Sequence, residues 1–386
     1  MHSLDQFAQN KLAELERERL RRVLVNTRRD GIWVERNGHR LISFSCNDYL
    51  GLTHHSSVQS AAIEAIRRYG AGGGASRLVT GNHPLYAELE ARLAALKGTE
   101  AACVFGSGYL TNSGVIPAVI DPDDLVLIDE LAHSSLWTGA RLTRAQVMPF
   151  RHNDAAHLGT LLHGNRKRYR HVLVATEGVF SMDGDVAPLA ELALCTQRSD
   201  AWLLVDDAHG VGVLGDGRGS GFRRGATPDI PLQVGTLSKA LGAYGGYICG
   251  SRAVIELIKN RARSLIYSTA LPPGILAAAI AGLDVITTEP ERVARPLQKA
   301  RLFTRNAGLP EAQSAIVPVI LGGAGAALDA AAMLEREGFL VIAIRPPTVP
   351  AGTARLRLTF SSEHPDEAVE RLAALVRSRI LDARAA

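Results

Sequence analysis

Lys239 is the only charged residue in the run "GTLSKALGAYGGYICG", Gly235 to Gly250. Its neighbours are glycine, hydroxyl and apolar residues, whereas a surface lysine normally sits among charges. Low-polarity surroundings disfavour an ammonium. A neutral amine is a nucleophile and a base, and it can form a Schiff base with an aldehyde. The plainer alternative is a buried stem whose charged head reaches water.

Other residues capable of chemistry follow short apolar runs in the same way. "WLLV" leads into "DDAHG", with Asp206, Asp207 and His209. "HVLVATE" leads into "GVFSMDGD", with Ser181, and "DLVLID" leads into "ELAHSSL", with His133. "AACVF" leads into "GSGYLTN", with Gly108 and Tyr109 at the start of a helical pattern. Free N–H groups at such a start suit a phosphate, although a plain tight turn reads the same way. Asp206, Asp207 and His209 could ligate a metal, but no HExxH motif or second histidine pair accompanies them. Alternatively, Asp206 faces a cationic ring nitrogen. Asp183-Gly184-Asp185 lacks the twelve-residue pattern of a calcium loop. A phosphate loop, an acid, two histidines and a lysine after successive strands match the needs of pyridoxal phosphate. That cofactor takes a lysine Schiff base and an acidic partner for its ring nitrogen.

The elements that must position these residues alternate along the chain. Residues 4 to about 24 read as a charged amphipathic helix, and "GIWVERNGHRLISF" as a hairpin turning at Asn37-Gly38. Helical patterns fall near 56–69, 83–97, 133–141, 187–198 and 251–263. Strands fall at "ACVFG", "DLVLID", "HVLVATE", "WLLVDDA", "LQVGTL" and "GGYICG". Alternation of this kind predicts a mostly parallel α/β sheet whose ligands bind at the carboxyl ends of its strands. Past about residue 287 the pattern becomes a small α+β domain, with strands at "AIVPVIL", "FLVIAIR" and "ARLRLTF". The expected division is 1–45 for the N-terminal helix and hairpin, 46–286 for the large domain and 287–386 for the small one.

The 386 residues carry 43 basic and 39 acidic side chains, a formal net charge of +4 spread along the chain. The one dense basic run, "RKRYRH", reads as a solvated loop, so no nucleic-acid partner is expected. Four cysteines without CxxC spacing fit a reducing compartment, the cytoplasm. No secretory signal and no membrane span is expected, since the apolar runs are short or interrupted by Pro and Asp. A GxGxxG after the first strand is missing, which argues against a nicotinamide-binding fold.

The segments "FSCNDYLGL", "TEGVFSMDGD", "VDDAHGVGVLG", "GTLSKALGAYGG", "IYSTALPP" and "AIRPPTVPAGTARLRLT" together resemble the α-oxoamine synthases over essentially the whole chain. The resemblance implies the pyridoxal-phosphate-dependent transferase fold type I. It has a large domain with a mostly parallel seven-stranded sheet and a small C-terminal α+β domain. It implies pyridoxal 5'-phosphate held by Lys239, with Asp206 on the pyridinium nitrogen and His209 and Ser181 at or near the ring's phenolic oxygen. His133 would stack on the ring. Gly108, Tyr109 and Thr236 would meet the phosphate, with Ser268 and Thr269 reaching it from a second subunit of a homodimer. Arg357 would clamp the amino-acid carboxylate. Arg21 and Thr353 match positions that hold the acyl substrate, and Asn47 lies near the site. "IRPPTVPAGTARLRLT" is most similar to members that join L-alanine to a pimeloyl thioester, on CoA or on acyl-carrier protein. Members that use glycine are the nearest alternative. A non-catalytic member is expected to lack the lysine, and Lys239 is present.

Overall fold

A computed structural model describes residues 2–223 and 227–385. In chain order its strands are β1 (Arg28–Asp30), β2 (Trp33–Arg36), β3 (His39–Ser43), β4 (Ala101–Phe105), β5 (Leu125–Asp129), β6 (Gln146–Phe150) and β7 (Val172–Glu177). There follow β8 (Trp202–Asp206), β9 (Leu232–Thr236), β10 (Gly246–Gly250), β11 (Ile316–Gly322), β12 (Phe339–Leu340), β13 (Ile342–Ile344) and β14 (Ala354–Thr359). The chain divides into two compact units. A central unit holds Asn47–Ser181 and Asp185–Leu297; a terminal unit holds Met1–Cys46, Met182–Gly184 and Gln298–Ala386.

The central unit is built on a seven-stranded sheet of order β4-β10-β9-β8-β7-β5-β6. All pairings are parallel except those of β10, which runs antiparallel to both β4 and β9. Strands β5, β7 and β8 are apolar along nearly their whole length because helices cover both faces. The period of two sorts their side chains. Leu125, Leu127, Val172 and Val174 enter one apolar cluster, and Val126, Ile128, Leu173 and Ala175 enter the other.

Register then lines up one edge of this sheet. Phe105 pairs with Gly246, Gly246 with Thr236, and Glu177 with Asp206. The carboxyl ends of β4, β9, β8 and β7 therefore stand side by side, so residues far apart in sequence become neighbours.

The terminal unit contains two small sheets, β1-β2-β3-β12 and β11-β14-β13. Its core gathers Phe44, Phe303, Phe339 and Phe360 with aliphatic residues of its helices. His364 stacks on Phe44 at 4.0 Å, and burial pushes its imidazole down to about 4. Arg355 pairs with Asp183, and the Ser314 hydroxyl donates to the Gly184 carbonyl at 2.7 Å. These contacts bring Met182–Gly184 into this unit.

Several features differ from the sequence-based expectation, among them the single strand expected at "FLVIAIR", which is β12 and β13 in two different sheets. The first helix is Ser3–Arg17, shorter than 4–24; Arg19 has a left-handed φ of 56° just beyond it. Strand β6 and the helix Ala155–Asn165 were not anticipated. β6 is an edge strand containing Pro149, which an edge tolerates. The N-terminal hairpin is not a separate segment: β3 pairs in parallel with β12, joining it to the C-terminal residues. Finally, the helix Pro290–Ala307, likewise not anticipated, spans the boundary at residues 297 and 298.

Candidate active site

Each residue of the candidate site in the central unit is held by a local device. Asp206 ends β8, buried. Its Oδ2 accepts from Asn112 Nδ2 at 2.6 Å and its Oδ1 from the Ala208 N–H at 3.0 Å, which fixes the carboxylate plane. Asn112 lies on the helix Gly108–Val119 and also donates to Ser135 Oγ at 3.0 Å.

That helix begins at the edge formed by β4. Ser107 caps it, accepting from the Leu110 N–H at 3.1 Å. A Cβ on Gly108 would meet nothing nearer than Thr236, at 3.8 Å, whereas one on Gly246 would lie 2.6 Å from the Gly108 nitrogen. Glycine at 246 thus permits the close approach of β10 to the helix start. The N–H groups of the first turn form an anion cradle. Tyr109 is partly exposed, and its hydroxyl shares a hydrogen bond with Thr138. The Thr236 hydroxyl donates to the Gly245 carbonyl at 2.8 Å and accepts from the Ser238 N–H at 3.1 Å, so a phosphate would compete for it.

His133 caps the helix Ser134–Leu142, its Nδ1 accepting from the Ser135 N–H at 3.2 Å. That leaves the ring hydrogen on Nε2. Burial pulls this imidazole below its ordinary value; Asp206 opposes that pull and Lys239 adds to it. Lys239 Nζ lies 2.8 Å from His209 Nε2, and His209 Nδ1 lies 2.6 Å from the buried Tyr49 hydroxyl. Tyr49 in turn contacts Asn47 Oδ1 at 3.3 Å.

Three site residues were missed by sequence reasoning. Glu177 ends β7, fully buried, and accepts from the backbone N–H of His133 at 2.7 Å and of Ser181 at 3.2 Å. Burial raises this carboxyl well above the usual range, and the Asp206 charge adds to the effect. Its signal was an acid closing a buried strand in "LVATEG". Asn112 and Tyr49 are the others; nothing in local composition marks an amide or a phenol as a positioning group.

The structure thus brings together Lys239, His209, Asn47, Asp206, His133, Ser181, Thr236 and Gly108. Ser268 and Thr269 take their contacts elsewhere in the central unit: Thr269 is exposed and bridges Ser76 in the glycine-rich run "GAGGGASRLVTG", Gly70 to Gly81. Arg21, Thr353 and Arg357 belong to the terminal unit. Arg357 is buried on β14, Thr353 Oγ1 donates to the Pro350 carbonyl at 2.8 Å, and exposed Arg21 pairs with Glu16. Among the described residues no cluster of three or more His, Cys, Asp or Glu could hold a metal ion, so Asp206, Asp207 and His209 do not form one. Asp207 serves the fold: it accepts from the Ser220 hydroxyl at 2.7 Å and pairs with Lys97. No helix among the described residues is long and apolar enough to cross a membrane.

An anion cradle, a fixed buried carboxylate and an amine beside an imidazole suit the phosphate, ring nitrogen and aldehyde of pyridoxal phosphate. Residues 39–376 match the family described as aminotransferase class I and II. The chain belongs to that family, and within it to the pyridoxal-phosphate-dependent α-oxoamine synthases. Curated relatives named 8-amino-7-oxononanoate synthase include one from Beijerinckia indica subsp. indica, 58% identical over 97% of this chain and 98% of its own. Another, from Granulibacter bethesdensis, is 57% identical over 99% of each chain. Among solved structures, a serine palmitoyltransferase from S. paucimobilis with a bound PLP–myriocin aldimine superposes with a TM-score of 0.92. It is 28% identical and is covered fully, as is this chain. An 8-amino-7-oxononanoate synthase from Francisella tularensis gives 0.75 at 26% identity, over 90% of this chain and 99% of its own.

Proposed function

We propose that this chain is an 8-amino-7-oxononanoate synthase. It would join L-alanine to a pimeloyl thioester, on CoA or acyl-carrier protein, releasing CO₂ and the free thiol. The observation that carries the reading is the amine–imidazole pair of Lys239 and His209 beside the anchored Asp206, in a chain whose relatives at 57–63% identity bear that name.

When bound, pyridoxal phosphate supplies an electron sink for the α-carbon of the amino acid. Lys239 would hold the cofactor's aldehyde carbon, and its Nζ would serve as the base toward the α-proton of alanine. Asp206 keeps the proton on the ring nitrogen, and Asn112 holds its carboxylate in plane. His133 has its Nδ1 spent on the Ser135 N–H, so it would offer a neutral face to the ring. Glu177 fixes both His133 and Ser181 through their backbone N–H groups. His209 and Ser181 orient the ring's phenolic oxygen. Gly108, Tyr109 and Thr236 receive the phosphate, with Ser268 and Thr269 contributed across a homodimer. By resemblance, Arg357 takes the carboxylate of alanine in the bidentate manner that guanidinium favours. Arg21, Thr353 and Asn47 go to the substrates on the same ground, and the enzyme is assigned to the cytoplasm.

The test is thiol release by the purified holoenzyme, comparing pimeloyl-CoA plus L-alanine with acetyl-CoA plus glycine. Release in the first mixture alone is the expected result. Release chiefly in the second would reassign the chain to a glycine-using α-oxoamine synthase.

A further inference from the structure

Asp207 is a buried carboxylate that the reaction above does not use. Its neighbour Asp206 meets Asn112, whereas Asp207 meets Lys97, with Nζ 3.4 Å from Oδ2 and both residues buried. Ser220 adds two donors, its backbone N–H to Oδ2 at 2.9 Å and its hydroxyl to Oδ1 at 2.7 Å. Lys97 also donates to the Arg218 carbonyl at 2.7 Å. Burial raises the Asp207 carboxyl, and the Lys97 charge opposes that.

Backbone closes on the same carboxylate. A Cβ on Gly178, Gly210 or Gly219 would lie within 3.0 Å of one of its oxygens, closer than real side chains approach. Gly219 has a left-handed φ of 115°, but Gly178 and Gly210 do not have one. Glycine at 178 and 210 is therefore required by the space beside the carboxylate, not by backbone conformation. Gly178 lies in the turn after β7, shortly before Ser181, and Gly210 directly follows His209 in the turn after β8. The Gly178 N–H donates to the Asp206 carbonyl at 2.8 Å, and the Gly210 N–H to the Asp207 carbonyl at 3.0 Å. Oδ1 of Asp207 is thus shared by the turns that carry Ser181 and His209.

We infer that Asp207 is a positioning residue, whose carboxylate is the spacer that sets the Ser181 turn against the His209 turn, and so sets how both residues meet the phenolic oxygen of pyridoxal phosphate. The inference rests on the assignment of that cofactor to Lys239 and of Ser181 and His209 to its phenolic oxygen. Lys97 and Ser220 hold the spacer in place. Groups that donate to the phenolic oxygen compete with the Schiff-base proton for it. When they loosen, the oxygen holds that proton more firmly, and the pH at which the bound cofactor changes absorbance rises.

The test loads purified protein with pyridoxal phosphate and reads the pH midpoint of its bound absorbance, beside thiol release and melting. Lys97→Met is combined with either Asp207→Ala or Asp207→Asn, so that neither variant buries an unbalanced charge. The alanine pair is expected to raise the midpoint by about one pH unit and to lower turnover per folded molecule about tenfold, the scale of a small misplacement. The asparagine pair keeps the shape of the spacer and should restore both. An alanine pair that melts earlier but keeps the wild-type midpoint would overturn the proposal, because the residue would then serve the fold alone. An asparagine pair displaced as far as the alanine pair would overturn it too, by making charge the cause in place of shape. Should the alanine pair fail to fold, Gly178→Ala presses a methyl group against the same oxygen: a raised midpoint is expected, and an unchanged one overturns the proposal. A wild type that forms no bound absorbance would remove the assignment of Lys239 and this proposal with it; a normal wild-type band with unshifted variants would remove the proposal alone.

Discussion

Two histidines follow strand ends in the central unit and have opposite characters. His133, beside Glu177 and Asp206, is pulled below its ordinary value, chiefly by burial. His152 is also partly desolvated, but its Nδ1 lies 3.0 Å from Asp129 and its Nε2 2.8 Å from Asp185. Those two carboxylates outweigh burial and raise it to about 10. The difference lies in what each nitrogen meets. His133 meets a backbone N–H, which requires a lone pair and therefore a neutral ring. His152 meets an acceptor on both sides, which requires two hydrogens and therefore a cation. A carboxylate near a histidine makes a fixed cation only when it occupies a ring nitrogen. One side of the sheet edge is thus left with a neutral ring for a cofactor, and the other with a permanent ionic pin.

The largest effect should come from removing the amine that the neutral side serves. Lys239→Ala is expected to lower thiol release by about 10³-fold or more, on the scale of lost nucleophilic and base catalysis. Turnover near wild type would undo the reading of that whole side. His133→Ala should lower turnover by about 10²-fold, while costing only about 1 kcal/mol of stability through the lost helix cap. If melting fell sharply and turnover per folded molecule did not, the ring would be structural and the contrast with His152 would collapse.

His152→Gln should do the reverse: stability falls by about 2 kcal/mol, the scale of charge-assisted hydrogen bonds, and turnover per folded molecule holds. The pH dependence sharpens this. The folded-state value, about 10, lies above the ordinary 6.5, so His152 stabilises the fold in full below about 6.5 and loses that contribution as pH rises through about 10. Melting curves of wild type and variant should therefore converge in strong alkali. A gap that persists unchanged would mean that packing, not charge, is responsible. The smallest effect belongs to an exposed counterpart. Asp121 pairs with both Arg170 and Arg261 at the surface, and Asp121→Asn should cost under about 1 kcal/mol, fading with added salt.

Much of this site was legible in the sequence because its residues follow buried strands in turn. Asp206, His209, His133, Ser181 and Lys239 each come directly after an apolar run, and a parallel sheet must bring such ends together. Glu177, Asn112 and Tyr49 were not legible because they act on other side chains and backbone groups, and their neighbours in space are distant in sequence. The fold divides in the same way. β5, β7 and β8 announce themselves through continuous apolar stretches; β6, short, at the edge and interrupted by Pro149, does not. The strand pairing that joins the N-terminal hairpin to the C-terminal residues is only two residues long, Phe339 with Ile42 and Leu340 with Ser43, and such a pairing leaves no local pattern.

That pairing carries a consequence for synthesis in the cell. The ribosome makes β3 early and β12 about 300 residues later. At roughly 5–20 residues per second the hairpin waits about 15–60 s for its partner strand. Throughout that interval the edge of β3 is without its native partner on the nascent chain, and an unpaired strand edge is a template for mispairing. A C-terminal truncation before residue 339 would therefore strand the opening of the chain as well as shorten its end.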